Sequence, residues 1–440
     1  MPLASVLAPV PDICGWSALA GDYQLHPRLQ GPAIADWAII GGGFTGLAAA
    51  RRIAGLDPNA RILLIEGKRV GQGASGRNSG FVVANESPGH AGLATPEGRA
   101  DYAALNALDR AGVAELEGLV LHHDISCQWM DTGSIHTAAD PKNFARLHYH
   151  VKAFRELGIR ADLMEADALK KRLGTDHYKL GVHCKGGALA QPAMLAKGLL
   201  ETLPPQIEVF ENSPVLAVHS EDGRTRLELA GGEVIADKVI VGVNAFMPRL
   251  GLQRDRVFPL ALTASLTRPL AVDEEEAISH ARPWGVLSSQ SLGATMRLTE
   301  DRRILIRNTA EYRPSGIGTA LLAARRAAHY TGLKRRFPWL ADDAIDYTWS
   351  GNICISQNSK PVFGALSKGV YAAGCYNASG VARGSIMGRL IVDYVMGVQS
   401  ELLDKALSLR KPNWIPPRPF FDLGAKMRMT YERARGQTEA

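Results

Sequence analysis

Cysteine is scarce in this chain, and none of it sits in a metal-binding or redox spacing. Five cysteines occur in 440 residues: Cys14, Cys127, Cys184, Cys354 and Cys375. They lie far apart with no C-x-x-C pair, which argues against a disulfide framework and against a zinc site. No apolar run reaches the roughly eighteen residues that a membrane-spanning helix needs. The amino terminus has no basic segment leading into an apolar one, and Pro2, Pro9 and Pro11 interrupt it, so no secretory signal is expected. Together these absences point to a reducing, cytoplasmic setting and to no metal. Nor does one sign of charge dominate, with 50 Lys and Arg against 44 Asp and Glu, a net +6. The cations are spread along the chain rather than grouped with aromatics, which argues against a nucleic-acid partner. The last residues are the exception. There Lys411, Arg418, Lys426, Arg428, Arg433 and Arg435 alternate with Trp414, Phe420, Phe421, Met427 and Tyr431. That pattern suits either peripheral contact with a membrane surface or a terminal helix closing over the body.

What is present is an ordinary globular composition, 46% hydrophobic and 21% charged, at a length that normally makes two domains. After an irregular leader over 1–35, the run Asp36-Trp37-Ala38-Ile39-Ile40 suits a buried parallel strand. Gly41 to Gly46 is a glycine-rich turn, Leu47 to Leu56 an alanine-rich helix, and Arg61 to Glu66 a second buried strand. This is the βαβ opening of a doubly wound α/β sheet. From about 100 to 172 the pattern becomes helical, with Leu105, Leu108, Val113, Leu116 and Leu119 at helical intervals. The stretch 257–310 alternates as an antiparallel sheet does, 319–337 reads as a basic helix, and 360–397 as strands followed by a helix. Segments near 236 and 370 return to the first sheet, so the two domains interleave.

Gly41, Gly43 and Gly46 have the G-x-G-x-x-G spacing, with Phe44 and Thr45 between them. The first glycine permits the tight turn, the second lets a pyrophosphate approach the backbone, and the third lets the helix pack on the strand. The free N–H groups of the helix start then face the phosphates. Glu66, ending the next strand and followed by Gly67, is placed to accept from both ribose hydroxyls and to repel a 2′-phosphate, although Lys68 and Arg69 stand nearby. A second small-residue loop follows, Gly71-Gln72-Gly73-Ala74-Ser75-Gly76-Arg77-Asn78-Ser79-Gly80. It can run beside an extended dinucleotide and offer amides and hydroxyls to phosphate and flavin edges, which favours FAD over NAD.

In these motifs the chain resembles the D-amino-acid oxidase family of FAD enzymes, and within it the gamma-glutamylputrescine oxidoreductase and pipecolate oxidase group. The resemblance runs from about Asp36 to Gly397. Besides the two loops it rests on Gly187-Ala188-Leu189-Ala190-Gln191-Pro192, Val239 to Phe246, Trp349-Ser350-Gly351-Asn352 and Gly374 to Val381. It implies a Rossmann-type FAD domain (36–100, 187–250 and 345–398) interleaved with an α+β substrate domain on a mostly antiparallel sheet (101–186 and 251–344). The basic extension 399–440 follows. It also implies oxidation of a C–N bond to an imine that hydrolyses, by hydride transfer to the flavin, with oxygen or a quinone as acceptor. Val215 is expected to meet the adenine through its backbone, Asn244, Gly374 and Ser379 to line the cofactor, and Gly380 and Val381 to set a helix start against the flavin pyrimidine.

Two departures stand out. Relatives carry Gly-x-x-Gly-x-Gly in the last loop, where this chain has Cys375-Tyr376-Asn377-Ala378-Ser379-Gly380, and Arg307 stands where relatives tend to have glycine. Tyr376 and Asn377 are candidates to orient a substrate, with Arg307 and Arg383 as carboxylate clamps. Some relatives tether FAD through Cys or His. No histidine lies between Glu66 and Gly80, and Cys354 is a few places off the tethering position, so FAD is expected to be non-covalent.

Overall fold

The computed structural model describes residues 11–88, 93–221, 223–290, 292–314, 316–436 and 438–440. Its centre is β1 (Gly31–Ile40), whose last four residues, Trp37 to Ile40, are buried. It lies parallel between β2 (Ile62–Ile65) and β11 (Gly232–Val241). Apolar strands of this kind need cover on both faces. Outside these, β8 (Ile207–Phe210) flanks β2, and β18 (Val370–Gly374) then β17 (Val362–Ser367) flank β11. The hairpin β9 (Val215–Glu221) and β10 (Arg224–Leu229) joins antiparallel to β11 and completes eight strands.

Helices Phe44–Leu56, Pro96–His122 and Ala382–Met396 cover one face of this sheet. They cross closely because glycine stands at the contacts. A Cβ on Gly388 would lie 2.2 Å from the Thr45 carbonyl oxygen, and one on Gly112 2.2 Å from that of Ala382. The opposite face packs on the hairpin and on the 3-10 turn Asn244–Leu250.

The second sheet has the order β16-β12-β15-β14-β13-β4-β6-β5. Its strands are β4 (Ser134–Ala138), β5 (Ala161–Glu165), β6 (Leu180–Cys184), β12 (Val257–Thr267), β13 (Trp284–Ser288), β14 (Thr295–Leu298), β15 (Ile304–Glu311) and β16 (Ile345–Ser356). Only β13 and β4 run parallel. Helix Thr319–Arg336 covers one face, packing Leu333 and the following Phe337 against Met296, Ile306 and Trp284. The other face turns toward the first domain. Between the two domains lies a short ladder of β3 (Phe81–Val82) and β7 (Ala188–Leu189).

Four features differ from the sequence expectation. β1 begins five residues earlier than Asp36, at Gly31. The region 100–172 is not helical throughout, since β4 and β5 interrupt it; both are too short for their alternation to stand out between two helices. Helix Pro96–His122, grouped with the substrate domain beyond 100, buries Leu108, Val113 and Leu116 in the core of the first sheet. Residues 345–356, grouped with the cofactor domain, form the edge strand β16 of the second sheet. Helical periodicity shows that a face is buried without showing which core receives it.

Candidate functional site: a dinucleotide cradle under a cationic sheet face

The carboxyl end of β1 turns into helix Phe44–Leu56 through Gly41, which has φ +106°. A Cβ on Gly46 would lie 1.9 Å from the Gly41 carbonyl oxygen, so only glycine lets the helix begin this close to the strand. The helix has Gly43 as N-cap, no side-chain cap and no acidic residue in its first turn. The helix thus carries no acid of its own at its positive end, which suits an anionic diphosphate. Glu66, at the end of β2, accepts from the N–H of Gly42 at 2.8 Å and of Lys68 at 2.9 Å. Burial pushes its carboxyl above the ordinary carboxylate range, against the pull of those N–H groups. Gly67 passes close to Pro214, which leads into Val215 at the start of β9. Val215 thus stands at the Glu66 end of the cradle.

The loop over 71–80 closes the cradle. Gly73 caps the short helix Ala74–Arg77, and the Ser75 hydroxyl accepts from the Phe44 N–H at 3.1 Å, tying the loop to the first turn of the helix. Asn78 donates to the carbonyls of Ala74 and Ser75 and accepts from the Gly80 N–H. Arg77 donates to the Ser350 carbonyl at 2.8 Å and pairs with Asp12 at 2.9 Å. Ser79 continues the loop toward β3.

The amino-terminal leader, which carries no periodic signal, turns out to brace this loop. Trp16 is fully buried and donates its indole N–H to the Asn78 carbonyl at 2.8 Å, and Cys14 lies against Gly76. Glu211 accepts from the Val70 N–H at 2.6 Å and the His26 N–H at 3.0 Å. No sequence motif marks either contact, because both join segments more than sixty residues apart.

The last loop follows β18, and three of its non-glycine residues take left-handed backbone: Cys375 (φ 57°), Asn377 (φ 52°) and Ala378 (φ 80°). Such residues are strained unless their surroundings hold them. Here the Cys375 N–H donates to the Asn244 side-chain oxygen at 2.9 Å, and the Asn377 N–H to the Cys354 carbonyl at 3.2 Å. The Asn377 amide accepts from the Ser356 N–H and donates to the Cys375 carbonyl, so it serves the loop and is not free to orient a substrate. Gly374, beneath, packs against the end of the Met247 side chain, 2.2 Å from where a Cβ would stand.

Tyr376 is buried, its hydroxyl 2.7 Å from that of Thr45, and burial raises its phenol so that it stays neutral. It joins the two helix starts rather than lining an open pocket. Ser379 N–H donates to the Tyr376 carbonyl, Gly380 packs on the Tyr376 ring, and Val381 caps helix Ala382–Met396. That helix, like the first, has no side-chain cap and no acid in its first turn.

Arg383 is not available as a carboxylate clamp. Its guanidinium is fully buried and bonded to both oxygens of Asp109, at 2.9 and 2.5 Å, with Glu86 at 2.9 Å. These carboxylates raise the Arg383 pKa and keep it charged. Cys354 is also unsuited to a covalent tether, because contact with the Cys375 thiol and burial push its thiol well up.

The face of the second sheet above the 73–80 loop carries two guanidinium groups with no ion-pair partner among the described residues. Arg297 is fully buried, donates to the Ala190 carbonyl at 2.6 Å and lies 5.3 Å from the centroid of the Trp16 ring. Its Nε and Nη2 meet no hydrogen-bond partner among the described residues. A Cβ on Gly80 would lie 2.1 Å from its Nη1. Arg307 pairs across the ladder with Thr295, two residues from Arg297, and therefore shares its face. It donates to the Thr295 hydroxyl. Burial lowers both guanidinium groups to about 10. They remain charged at neutral pH. Of the four residues expected to meet a substrate, Arg307 alone keeps free donors on this face. Arg297 was missed because its sequence context, Thr295-Met296-Arg297-Leu298, reads as an ordinary alternating strand.

The cradle and the two uncapped helix ends define a dinucleotide-binding flavoprotein fold. Residues 36–394 match the family of FAD dependent oxidoreductases designated DAO, and the chain belongs to that family. It is 25% identical over 418 residues to the probable oxidoreductase OrdL of Haemophilus influenzae, covering 93% of this chain and 94% of that protein. It is 26% identical over 393 residues to the gamma-glutamylputrescine oxidoreductase of Escherichia coli, covering 87% and 88%. In structure it is similar to glycine oxidase from Geobacillus kaustophilus, with a TM-score of 0.69 at 19% identity over 84% of this chain and 96% of that one. The expected cofactor, FAD, agrees with both the cradle and the family.

Proposed function

We propose that the protein oxidises a C–N bond of an amine or amino acid to an imine that hydrolyses, with oxygen as the final electron acceptor. When bound, FAD supplies the hydride acceptor. The observation that carries the reading is the pair of guanidinium groups, Arg297 and Arg307, that share one face of the second sheet with no ion-pair partner among the described residues. Arg307 and Thr295 hold an anionic end of the substrate, because a guanidinium and a hydroxyl on one face match a carboxylate. Arg297 and the start of helix Ala382–Met396 would supply positive charge to stabilise the negative charge of reduced FAD. The neutral amine brings its own lone pair, so no general base is required of the chain. The expected cytoplasmic setting and small-molecule substrate belong to the same proposal.

A second reading, a quinone-linked dehydrogenase of a cyclic or N-methyl amino acid, is favoured by the exposed apolar residues near the carboxyl end, Trp414, Phe420, Leu423 and Met427. Anaerobic mixing of the FAD-loaded protein with a panel of amines and amino acids tests both. Bleaching followed by peroxide in air supports the oxidase, and bleaching without peroxide supports the dehydrogenase. A flavin that no member of the panel bleaches overturns both and leaves a flavin-binding protein without turnover.

A further inference from the structure

Helix Phe420–Gly436 holds to the body by one side and shows the solvent an apolar stripe on the other. Phe420, Leu423, Met427 and Tyr431 are 75%, 63%, 65% and 52% exposed. At 100° per residue all four fall on one side of the helix. The body-facing side carries Phe421, whose ring lies 4.7 Å from that of Phe258 and 5.6 Å from that of Tyr312. On the same side Asp422 accepts from the Tyr312 hydroxyl at 2.6 Å. Beyond the helix, Glu439 is buried and accepts from the N–H groups of Ala139 and Asp140 and from the Asn143 amide at 2.7 Å. The helix is thus pinned at both ends, and its stripe faces outward as part of the fold.

Charge is ordered around the stripe. Lys426 and Arg433 flank it on one side, and Arg428 and Arg435 on the other, all exposed. The two acids of the helix, Asp422 and Glu432, are half-buried toward the body, and Glu432 pairs with Arg428. The outward half therefore joins apolar side chains to cations and has no carboxylate. Before the helix, exposed Trp414 lines a cavity of about 630 Å³ together with Phe246, Phe258, Asn352, Arg418 and the body-facing Phe421.

We propose that this helix docks the protein on an anionic lipid surface. An apolar stripe bordered by Lys and Arg sinks its apolar side chains below the headgroups while the cations meet lipid phosphates, and the attraction is lost in salt. A second copy of the chain would bring the same cations against themselves. The helix lies in the plane of the membrane, since no helix among the described residues is long and apolar enough to cross one.

The test is sedimentation of the full FAD-loaded chain with vesicles of phosphatidylcholine alone or with about a quarter phosphatidylglycerol. Binding to the anionic vesicles, falling as salt is added, is expected. Phe420→Ser/Leu423→Ser/Met427→Ser and, separately, Lys426→Glu/Arg433→Glu/Arg435→Glu should each weaken it by roughly tenfold or more, with the flavin spectrum unchanged. All of these positions are exposed, so both variants are expected to fold. A protein that stays in the supernatant at low salt, or a serine variant that binds as the parent does, overturns the proposal. So does self-association of the parent that the serine variant abolishes, because a second copy would then cover the stripe.

Discussion

Replacing Asp109 by leucine removes one partner from the buried Asp109–Arg383 pair and leaves the other in place. Both side chains are 0% exposed, and two bonds of 2.9 and 2.5 Å hold them together. Taking one partner from a buried ion pair costs about 3–5 kcal/mol, because the remaining charge stays desolvated. Glu86 still reaches the Arg383 guanidinium at 2.9 Å and is 27% exposed, so part of that charge remains compensated. The expected loss is therefore at the lower end, about 3 kcal/mol, or roughly a hundredfold in the ratio of folded to unfolded protein. Urea unfolding followed by circular dichroism measures it. The helix that Val381 caps begins at the same place, so FAD should also be released at lower urea than in the parent. The double variant Asp109→Leu/Arg383→Leu separates loss of charge balance from loss of packing, since an apolar pair of similar volume restores much of the stability. A single variant as stable as the parent, or a double variant no better than the single, would refute the reasoning.

Three other outcomes follow from named contacts. Ala378→Gly removes the left-handed strain at φ 80° and should stabilise the protein by about 1 kcal/mol in the same urea assay, with no change in the flavin spectrum. Arg307→Met should raise the KM for a carboxylate-bearing substrate by roughly tenfold or more, corresponding to about 1.5–3 kcal/mol for a charged hydrogen bond, and leave an uncharged amine little affected; steady-state kinetics on the paired substrates decides it. Burial lowers His136 to about 4 and His329 to about 3 from an ordinary 6.5. Between those values and 6.5 the unfolded chain binds more protons than the folded one, so stability should fall as pH drops from 6.5 toward 4. His136 alone contributes on the order of 3 kcal/mol. His329→Gln should flatten the slope of unfolding free energy against pH, and an unchanged slope would count against a neutral, buried His329.

Much of the cofactor site was legible in local sequence because its chemistry is local. Gly41, Gly43 and Gly46 sit within one turn, Glu66 ends the neighbouring strand, and the loop over 71–80 follows at once. A backbone turn, a helix end and a short loop are each specified by residues a few places apart, and β1 and β2 align them through register alone. The substrate side was far less legible. Tyr376 and Asn377 are polar residues of the last loop and Arg383 stands in the first turn of the helix that follows it, and sequence cannot tell whether such groups face a ligand or one another.

The tertiary structure decided that question. It turned Arg383 to Asp109 on helix Pro96–His122, spent the Asn377 amide on its own loop, and paired Tyr376 with Thr45. It left Arg307 with Thr295 and set Arg297 beside it on the same sheet face. It also drew the leader through Trp16 onto Asn78 and laid the carboxyl-terminal helix with its apolar stripe outward. Each of these depends on partners far apart along the chain, and a side chain's role in a buried site is set by which charges and hydrogen-bond groups the fold brings within reach. The sequence by itself determined the cofactor's class and the nucleotide cradle; the pairing of the buried charges exists only once helices Pro96–His122 and Ala382–Met396 pack together over the first sheet, and the pairing of Arg307 with Thr295 only once β14 and β15 align.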